Sequence, residues 1–562
     1  MRRFSFVLLV VLGLTTGPVF ARAAAPPAEL LRLVPADPLA VVYVPSVETL
    51  ERDVRSLVGV FAPEAAEGIS WMDMLPLEMR GLEEIMDPAR PAAVVLRLMP
   101  GTPAPMFSML VPLRDASTTP DEIEARLQVR PLALDDGYAV LGTDTAYAPG
   151  DGDPALLADV AAVDVTARVD MAGLFRALGP MLDMFVQMAL TQPREGEEGA
   201  PPRSLTDAEG AAAALELVGM LREGLATLEI TADVDGDHME LGGGVEFLAD
   251  GPLELGPQGS LDDVWAHTGA LEPGAAVYMA SALDLRNLEP LVRGFLGMMA
   301  ETSWEQGDFD MLSMLWKVQM GSPALMESMN LTPYVGSFHF DSSGPLMRWI
   351  QPAVDPAALG EATVAAFDAA TSLGLRAQWG ETRRVGDFGV RSAELDMDIE
   401  TLLETHSDAD LDPQGEEAAA IRSMMDLWLS TVWIAVGPDL AVTAMDDDAA
   451  AVDALLERLS AAPAGEAPAE LVEARAWAGD GALGVTVVDV GRIFRMLSDV
   501  VPQSSDDVDF EALRAAFADA PSAPVFGATR VDGTWLRGRM EMRTESARAL
   551  WTLFRGLGES DL

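Results

Sequence analysis

The sequence has no cysteine among its 562 residues, and this absence excludes several kinds of site at once. Disulfide bridges, thiolate nucleophiles and thiolate-bound metals all need a sulfur that the chain does not have. There is also no thiol to which a lipid anchor could be attached. Stability must therefore come from the burial of apolar side chains, which a chain of this length achieves by dividing into domains.

Positive charge is scarce as well. The chain has 37 Lys and Arg residues against 89 Asp and Glu residues, a formal net charge of -52, and Lys317 is its only lysine. Such a surface repels a polyanion, so we do not expect nucleic acid as a partner. Two interpretations of the acidity stay open: adaptation to a saline habitat, and a codon bias toward arginine in an ordinary acidic exported protein.

Histidine occurs only four times, as His238, His267, His339 and His406. None has a second histidine within a helical turn, so no zinc motif is present. Residues 233–237 begin like a calcium-binding loop but lack its later glycine and glutamate, and we interpret them as a β-hairpin turn. The chain also lacks a nucleophile elbow, a phosphate loop and a dinucleotide fingerprint. We therefore predict no catalytic residue, no metal ligand and no cofactor.

The N-terminal residues predict export. Two arginines precede an apolar stretch at residues 4–14, and the small residues Ala21 and Ala23 form a cleavage site for a signal peptidase. The apolar stretch has about 11 residues, whereas a membrane-spanning helix needs about 20. We therefore predict a cleaved signal peptide at residues 1–23 and a destination in the periplasm or the extracellular medium.

Four blocks of sequence recur in the same order, which predicts a diverged tandem duplication. The clearest pair is 169–178 with 488–497, and its aspartates, Asp170 and Asp489, should each cap a helix. The other pairs are 40–46 with 275–281, 138–144 with 440–446, and the hairpins 231–247 with 529–542. We predict a turn at Asp136 and Gly137, directly before the block 138–144.

Within each copy, short apolar runs alternate with amphipathic helices, and hairpin turns are explicit. We predict an α+β fold of two diverged tandem repeats, each an antiparallel sheet covered by helices. A linker at 24–30 leads into repeat one at 31–259, and repeat two follows at 260–562. In repeat one, Ser46 is expected to cap the first long helix.

The chain has 30 methionines, and a Met-rich insertion at 298–329 interrupts repeat two. Methionine side chains are flexible and polarisable, so this segment is expected to form a pliable apolar surface for a lipid-like ligand or a partner's helix. An ordinary core face is the alternative interpretation of the same spacing. The predicted contact residues are Met298, Met299, Trp304, Met311, Met314 and Trp316.

Two motifs resemble those of known sequences. A Pro-Ala-Asp turn that leads into a strand at 33–44, and the later segment 136–140, resemble a group of uncharacterised exported bacterial proteins that share a domain of unknown function. The resemblance implies export and a duplicated α+β body. It supplies no catalytic residue, ligand or substrate.

These patterns predict an exported, soluble binding or scaffolding protein of unknown ligand, without a stable membrane anchor and without enzymatic activity. Two alternatives remain: a carboxylate-dependent hydrolase, because any two of the many acidic residues can converge in space, and a structural cell-envelope protein. An enzyme should place at least two carboxylates with shifted pKa values in a concave pocket. A binding protein should present an open apolar groove.

Overall fold

A computed structural model of the chain describes residues 26–98, 105–179, 218–291, 332–398, 431–500 and 515–558. Positions not described within these ranges are 36, 62–65, 67–69, 71–80, 145–146, 151–154, 158–162, 289–290, 342–343, 354, 370–374, 462–464 and 516. The predicted signal peptide and the Met-rich insertion at 298–329 lie outside the described residues.

The described residues contain nineteen strands, all of which pair in antiparallel fashion. Their bounds are β1 (Ala40–Val44), β2 (Ala92–Leu98), β3 (Pro105–Pro112), β4 (Ala133–Asp135), β5 (Tyr138–Gly142), β6 (Val165–Asp170), β7 (Leu225–Val234), β8 (His238–Phe247), β9 (Val277–Ser281), β10 (Tyr334–Asp341), β11 (Gly344–Pro352), β12 (Leu375–Trp379), β13 (Arg383–Val385), β14 (Phe388–Met397), β15 (Val432–Val436), β16 (Leu440–Met445), β17 (Gly484–Asp489), β18 (Pro524–Asp532) and β19 (Trp535–Arg543). The predicted α+β class with antiparallel strands is confirmed.

Helices lie mostly between these strands. Their bounds are α1 (Ala28–Leu31), α2 (Val47–Phe61), α3 (Leu82–Ile85), α4 (Pro120–Leu127), α5 (Leu261–Trp265), α6 (Pro356–Ala369), α7 (Ala449–Ser460), α8 (Ala469–Ala478), α9 (Val490–Val500) and α10 (Thr544–Gly558). Among the described residues, no helix is both long enough and apolar enough to cross a membrane.

The chain divides into two compact units. Unit 1 is formed from Met1–Met188, Arg222–Pro252 and Val531–Arg548, as far as these are described. Its strands follow the order β4, β5, β3, β2, β1, β6, β7, β8, β19. Unit 2 contains the order β18, β17, β9, β10, β11, β16, β15, β14, with β12 and β13 both paired to β14.

Turn and cap residues act where the sequence predicts them. The hydroxyl of Ser46 accepts a hydrogen bond from the N–H of Thr49 (3.1 Å) at the start of α2. Asp136 and Gly137 both have positive φ and form the two-residue turn between β4 and β5, as a tight hairpin requires. Asp170 accepts the N–H of Gly173 (2.8 Å), so its predicted helix cap is confirmed.

The core of unit 1 follows the strict alternation of its central strands. Tyr138 and Val140 of β5 pack in one apolar cluster with Leu30, whereas Ala139 and Leu141 pack in another with Ile123 of α4. Because successive residues of a strand point to opposite faces, β5 is buried on both sides. In unit 2 a single large cluster joins strands β9, β10, β11 and β16 to helices α5, α7 and α8.

The cap at Asp489 gives a test of the fold of unit 2. Its buried carboxylate accepts the N–H groups of Arg492 (3.1 Å) and Ala523 (2.9 Å) and the hydroxyl of Ser522 (2.6 Å). Asp489→Ala would leave these donors without their acceptor, and we expect it to lower the free energy of unfolding by about 3 kcal/mol in urea titrations. The exposed turn residue Asp480, changed to Ala, is the matched control, and equal losses in the two variants would contradict this role.

Candidate functional site

The contact residues predicted from the sequence, Met298, Met299, Trp304, Met311, Met314 and Trp316, lie outside the described residues, as do Ala21 and Ala23 at the cleavage site. These assignments stay predictions. Among the described residues, the candidate site lies on four neighbouring strands of unit 1, namely β6, β7, β8 and β19.

Strand β7 shows how these strands are arranged. Its sequence alternates polar residues at 227, 229, 231 and 233 with apolar residues at 228, 230, 232 and 234. In most half-buried strands the apolar residues face the core. Here the order is reversed, because Glu229 is 2 % exposed and Ile230 is 55 % exposed.

Polar residues from all four strands share the side of Glu229, which we call the charged face. The strand register places in adjacent rows Asp164, Thr166, Arg168, Glu229, Thr231, Asp233, Glu240, Arg537, Arg539 and Glu541. Buried charges are rare unless they are paired. The charged face is therefore the most unusual surface in the described part of the chain.

One ion pair lies at the centre of the charged face. Glu229 accepts hydrogen bonds from Nε (2.6 Å) and Nη2 (2.5 Å) of Arg168, and Nη2 of Arg537 lies 4.0 Å from its other oxygen. The ring of Trp535 lies under Arg537, with the guanidinium carbon 4.4 Å from the ring centroid. Gly244 leaves room for that ring, since a Cβ there would lie 3.1 Å from an indole carbon. The two arginines are thus fixed by an acid and an aromatic ring together.

Carboxyl groups with raised pKa values occupy the next part of the face. Burial raises the pKa of Asp233, although the charge of His238 acts in the opposite direction. Burial likewise raises the pKa of Glu240, opposed first by Arg539. Such groups hold a proton more tightly than exposed carboxyls do, which is a property of many functional sites.

Two buried hydroxyls on this face have no hydrogen-bond partner among the residues that the structure describes. Thr166 and Thr231 face each other across β6 and β7, are 2 % and 1 % exposed, and leave Oγ1 unbonded. A buried hydroxyl without a partner costs free energy, so it usually marks the place of a water molecule or a ligand atom. Thr231 is also directly opposite Gly242, which has no side chain to fill the space.

A group of possible metal ligands begins one row from Thr231 on the charged face. Atoms of His238, Glu240 and Glu541 lie within 4.8 Å of one another. The sequence alone does not reveal this group, because Glu541 is far along the chain and meets Glu240 only through the pairing of β8 with β19. The interpretation of residues 233–237 as a β-hairpin turn is supported. The carboxylate of Asp235 accepts hydrogen bonds from the N–H groups of Asp237 (2.7 Å) and His238 (2.8 Å) within that turn.

The opposite side of β7, β8 and β19 is an apolar face. Ile230 is 55 % exposed and Leu241 is 37 % exposed, and the surrounding side chains are half-buried. By strand register this apolar face consists of Leu228, Ile230, Ala232, Met239, Leu241, Val245, Leu536, Met540 and Met542. The row at Ile230 continues through Gly243 and Gly538, which carry no side chains.

Comparison with known proteins adds no relative. No family model matches the chain, and neither does any curated protein or solved structure that was compared with it. The resemblance to uncharacterised exported proteins therefore stays a prediction. The functional interpretation depends on the geometry of unit 1.

The pKa shift of Asp164 generates a pH-dependent prediction. Burial raises this pKa above its ordinary value of 3.8, although a hydrogen bond from the N–H of Val234 acts in the opposite direction. The folded state then binds the proton more tightly than the unfolded state, so the ionised carboxylate destabilises the folded protein at neutral pH. We expect Asp164→Asn to raise the free energy of unfolding at neutral pH, with the gain disappearing as the pH falls toward 3.8.

Asp115 is the control of opposite sign in the same unit. Hydrogen bonds from the hydroxyl and the N–H of Ser117 lower its pKa, so its contribution to stability is present above 3.8 and is lost in acid. Asp115→Asn should therefore reduce stability at neutral pH. Urea titrations across the pH range measure both variants, and a loss of stability at neutral pH in Asp164→Asn would contradict the assignment.

Proposed function

We propose that this chain is an exported binding or scaffolding protein, not an enzyme, and that it binds an apolar ligand. The observation that supports the proposal is the apolar face of unit 1, where Ile230 is more than half exposed. Exposed apolar surface costs about 25 cal/mol for each Å² left in water. A contiguous apolar patch on a rigid sheet is typical of a binding surface.

The apolar face has room for an elongated apolar ligand such as an acyl chain. Gly243 and Gly538, of which Gly538 is buried, form a row without side chains, with Leu241 and Met540 on one side and Ile230 at its end. Neighbouring rows on one face of a strand are about 7 Å apart, so the two rows that flank the glycine row are about 14 Å apart, which is wide enough for an acyl chain. Methionine side chains adapt their shape to apolar ligands. The same property underlies the prediction of an apolar surface at the Met-rich insertion 298–329.

A carboxylate-dependent hydrolase is the second candidate. The raised pKa values of Asp233 and Glu240 favour it, because a general acid holds its proton more tightly than an exposed carboxyl group does. The two residues are directly opposite each other on β7 and β8.

A structural cell-envelope protein is the third candidate. Concentration-dependent assembly of the protein would favour it.

We also infer that the body arose by tandem duplication. The matched sequence blocks occupy corresponding positions in the strand orders β5, β3, β2, β1, β6, β7 and β16, β11, β10, β9, β17, β18. The N–H of Asp170 donates to Leu39, and the N–H of Asp489 donates to Ala276, both at 2.8 Å. In the strand pairing, Ala40 corresponds to Val277. The alignment of 40–46 with 275–281 from the sequence is therefore displaced by two residues from the structural correspondence.

Buried ion pairs are a further similarity between the two inferred copies. Asp144 pairs with Arg97 (2.9 Å) in unit 1, and Asp446 pairs with Arg348 in unit 2. These two aspartates are the last residues of the paired blocks 138–144 and 440–446.

The proposal of export, with a destination in the periplasm or the medium, rests on the N-terminal sequence alone.

Substitution on the apolar face tests the binding proposal. Ile230→Asp should abolish enhanced fluorescence of a solvatochromic dye and remove lipid that co-purifies with the protein from its native host, because a charge would then lie in the binding surface. The matched control is Val472→Asp, since Val472 is 50 % exposed and belongs to unit 2. Dye and lipid binding unchanged by Ile230→Asp would contradict the proposal, and hydrolysis of test substrates abolished by Glu240→Gln would favour the hydrolase.

A further inference from the structure

We propose that His238, Glu240 and Glu541 form a binding site in unit 1 for one divalent transition-metal ion. Atoms of the three side chains that can bind a metal lie within 4.8 Å of one another. They can therefore approach a single ion with small side-chain movements. This site lies on the charged face and does not depend on ligand binding at the apolar face.

The strands hold these side chains on a rigid scaffold. His238 and Glu240 are two residues apart on β8 and point to the same side, and Glu541 is directly opposite Glu240 on β19. β8 lies between β7 and β19 and is paired along its whole length, from His238 to Phe247. Sites built on paired strands hold ligand positions more accurately than sites on loops.

The unbonded hydroxyl of Thr231 is an independent sign of a ligand at this place. Thr231 is 1 % exposed. It lies one row from Asp233 on the charged face and is directly opposite Gly242. Gly242 is in turn the next residue on that face after Glu240. A buried, unpartnered oxygen one row from Glu240 and Glu541 fits a metal-bound water molecule as its missing partner.

The imidazole is already oriented for such a role. Oδ1 of Asp235 lies 3.0 Å from Nδ1 of His238, which leaves Nε2 as the nitrogen that can bind the ion. A carboxylate on the far nitrogen is the usual way in which proteins fix the tautomer of a metal-binding histidine. The turn between β7 and β8 thus supplies the orienting group.

The donor atoms determine the class of ion. One imidazole nitrogen with two carboxylates suits zinc or manganese, whereas calcium and magnesium sites use oxygen donors. Both carboxylates of the site face an arginine, since Nη1 of Arg539 lies 3.5 Å from Glu240 and Nε of Arg543 lies 3.8 Å from Glu541. A bound cation would therefore compete with these two ion pairs for Glu240 and Glu541.

The test is calorimetric titration of the full mature chain with Zn²⁺ in physiological salt and excess Mg²⁺. Magnesium is needed because a chain with net charge -52 binds cations non-specifically. We expect one Zn²⁺ per chain and a loss of affinity of more than about 10-fold in both Glu541→Gln and His238→Gln. X-ray absorption of the zinc complex should show one nitrogen donor that is lost in His238→Gln.

Glu246→Gln is the matched control, because it removes a carboxylate from the same side of β8 at the opposite end of the strand. Its Zn²⁺ affinity should equal that of the unmodified chain. Circular dichroism and urea titration check that each variant is folded, and zinc should raise the urea midpoint of the unmodified chain but not of Glu541→Gln. The proposal is overturned if no saturable site remains in excess Mg²⁺, or if Glu246→Gln weakens binding as much as Glu541→Gln.

Discussion

The ion pair between Arg168 and Glu229 is the interaction on which unit 1 depends. The two side chains are 5 % and 2 % exposed and join β6 to β7 in the middle of the charged face. Removing two charges from water costs several kcal/mol for each ion, and only close, multiple hydrogen bonds offset that cost. Glu229 meets this condition because Arg168 donates two hydrogen bonds to it and Arg537 adds a second positive charge.

The apolar face is the consequence of this burial. Because strand residues alternate, turning Glu229 inward turns Leu228 and Ile230 outward. The same inversion brings the buried Glu240 next to the half-buried Glu541. The proposed apolar binding surface and the proposed metal site therefore lie on opposite faces of the same strands, β7, β8 and β19. Separate experiments test the two proposals.

Local features of the fold could be predicted from the sequence because they depend on neighbouring residues. The Ser46 cap, the turn at Asp136 and the cap at Asp489 each follow from short-range hydrogen bonds. The site could not be predicted, because Glu541 and His238 meet only through the pairing of β8 with β19. Nor does alternation alone show which side of β7 is buried, since the usual rule would have placed Ile230 in the core.

A double-mutant cycle on Arg168 and Glu229, measured by urea unfolding, tests this account most directly. Glu229→Leu alone should lower the free energy of unfolding by about 3 kcal/mol or more, because it leaves a buried guanidinium without its acid. Combining it with Arg168→Leu should recover most of that loss, so that the two effects are far from additive. Additive effects, or a loss below about 1 kcal/mol for Glu229→Leu, would contradict the claim that this pair supports the charged face.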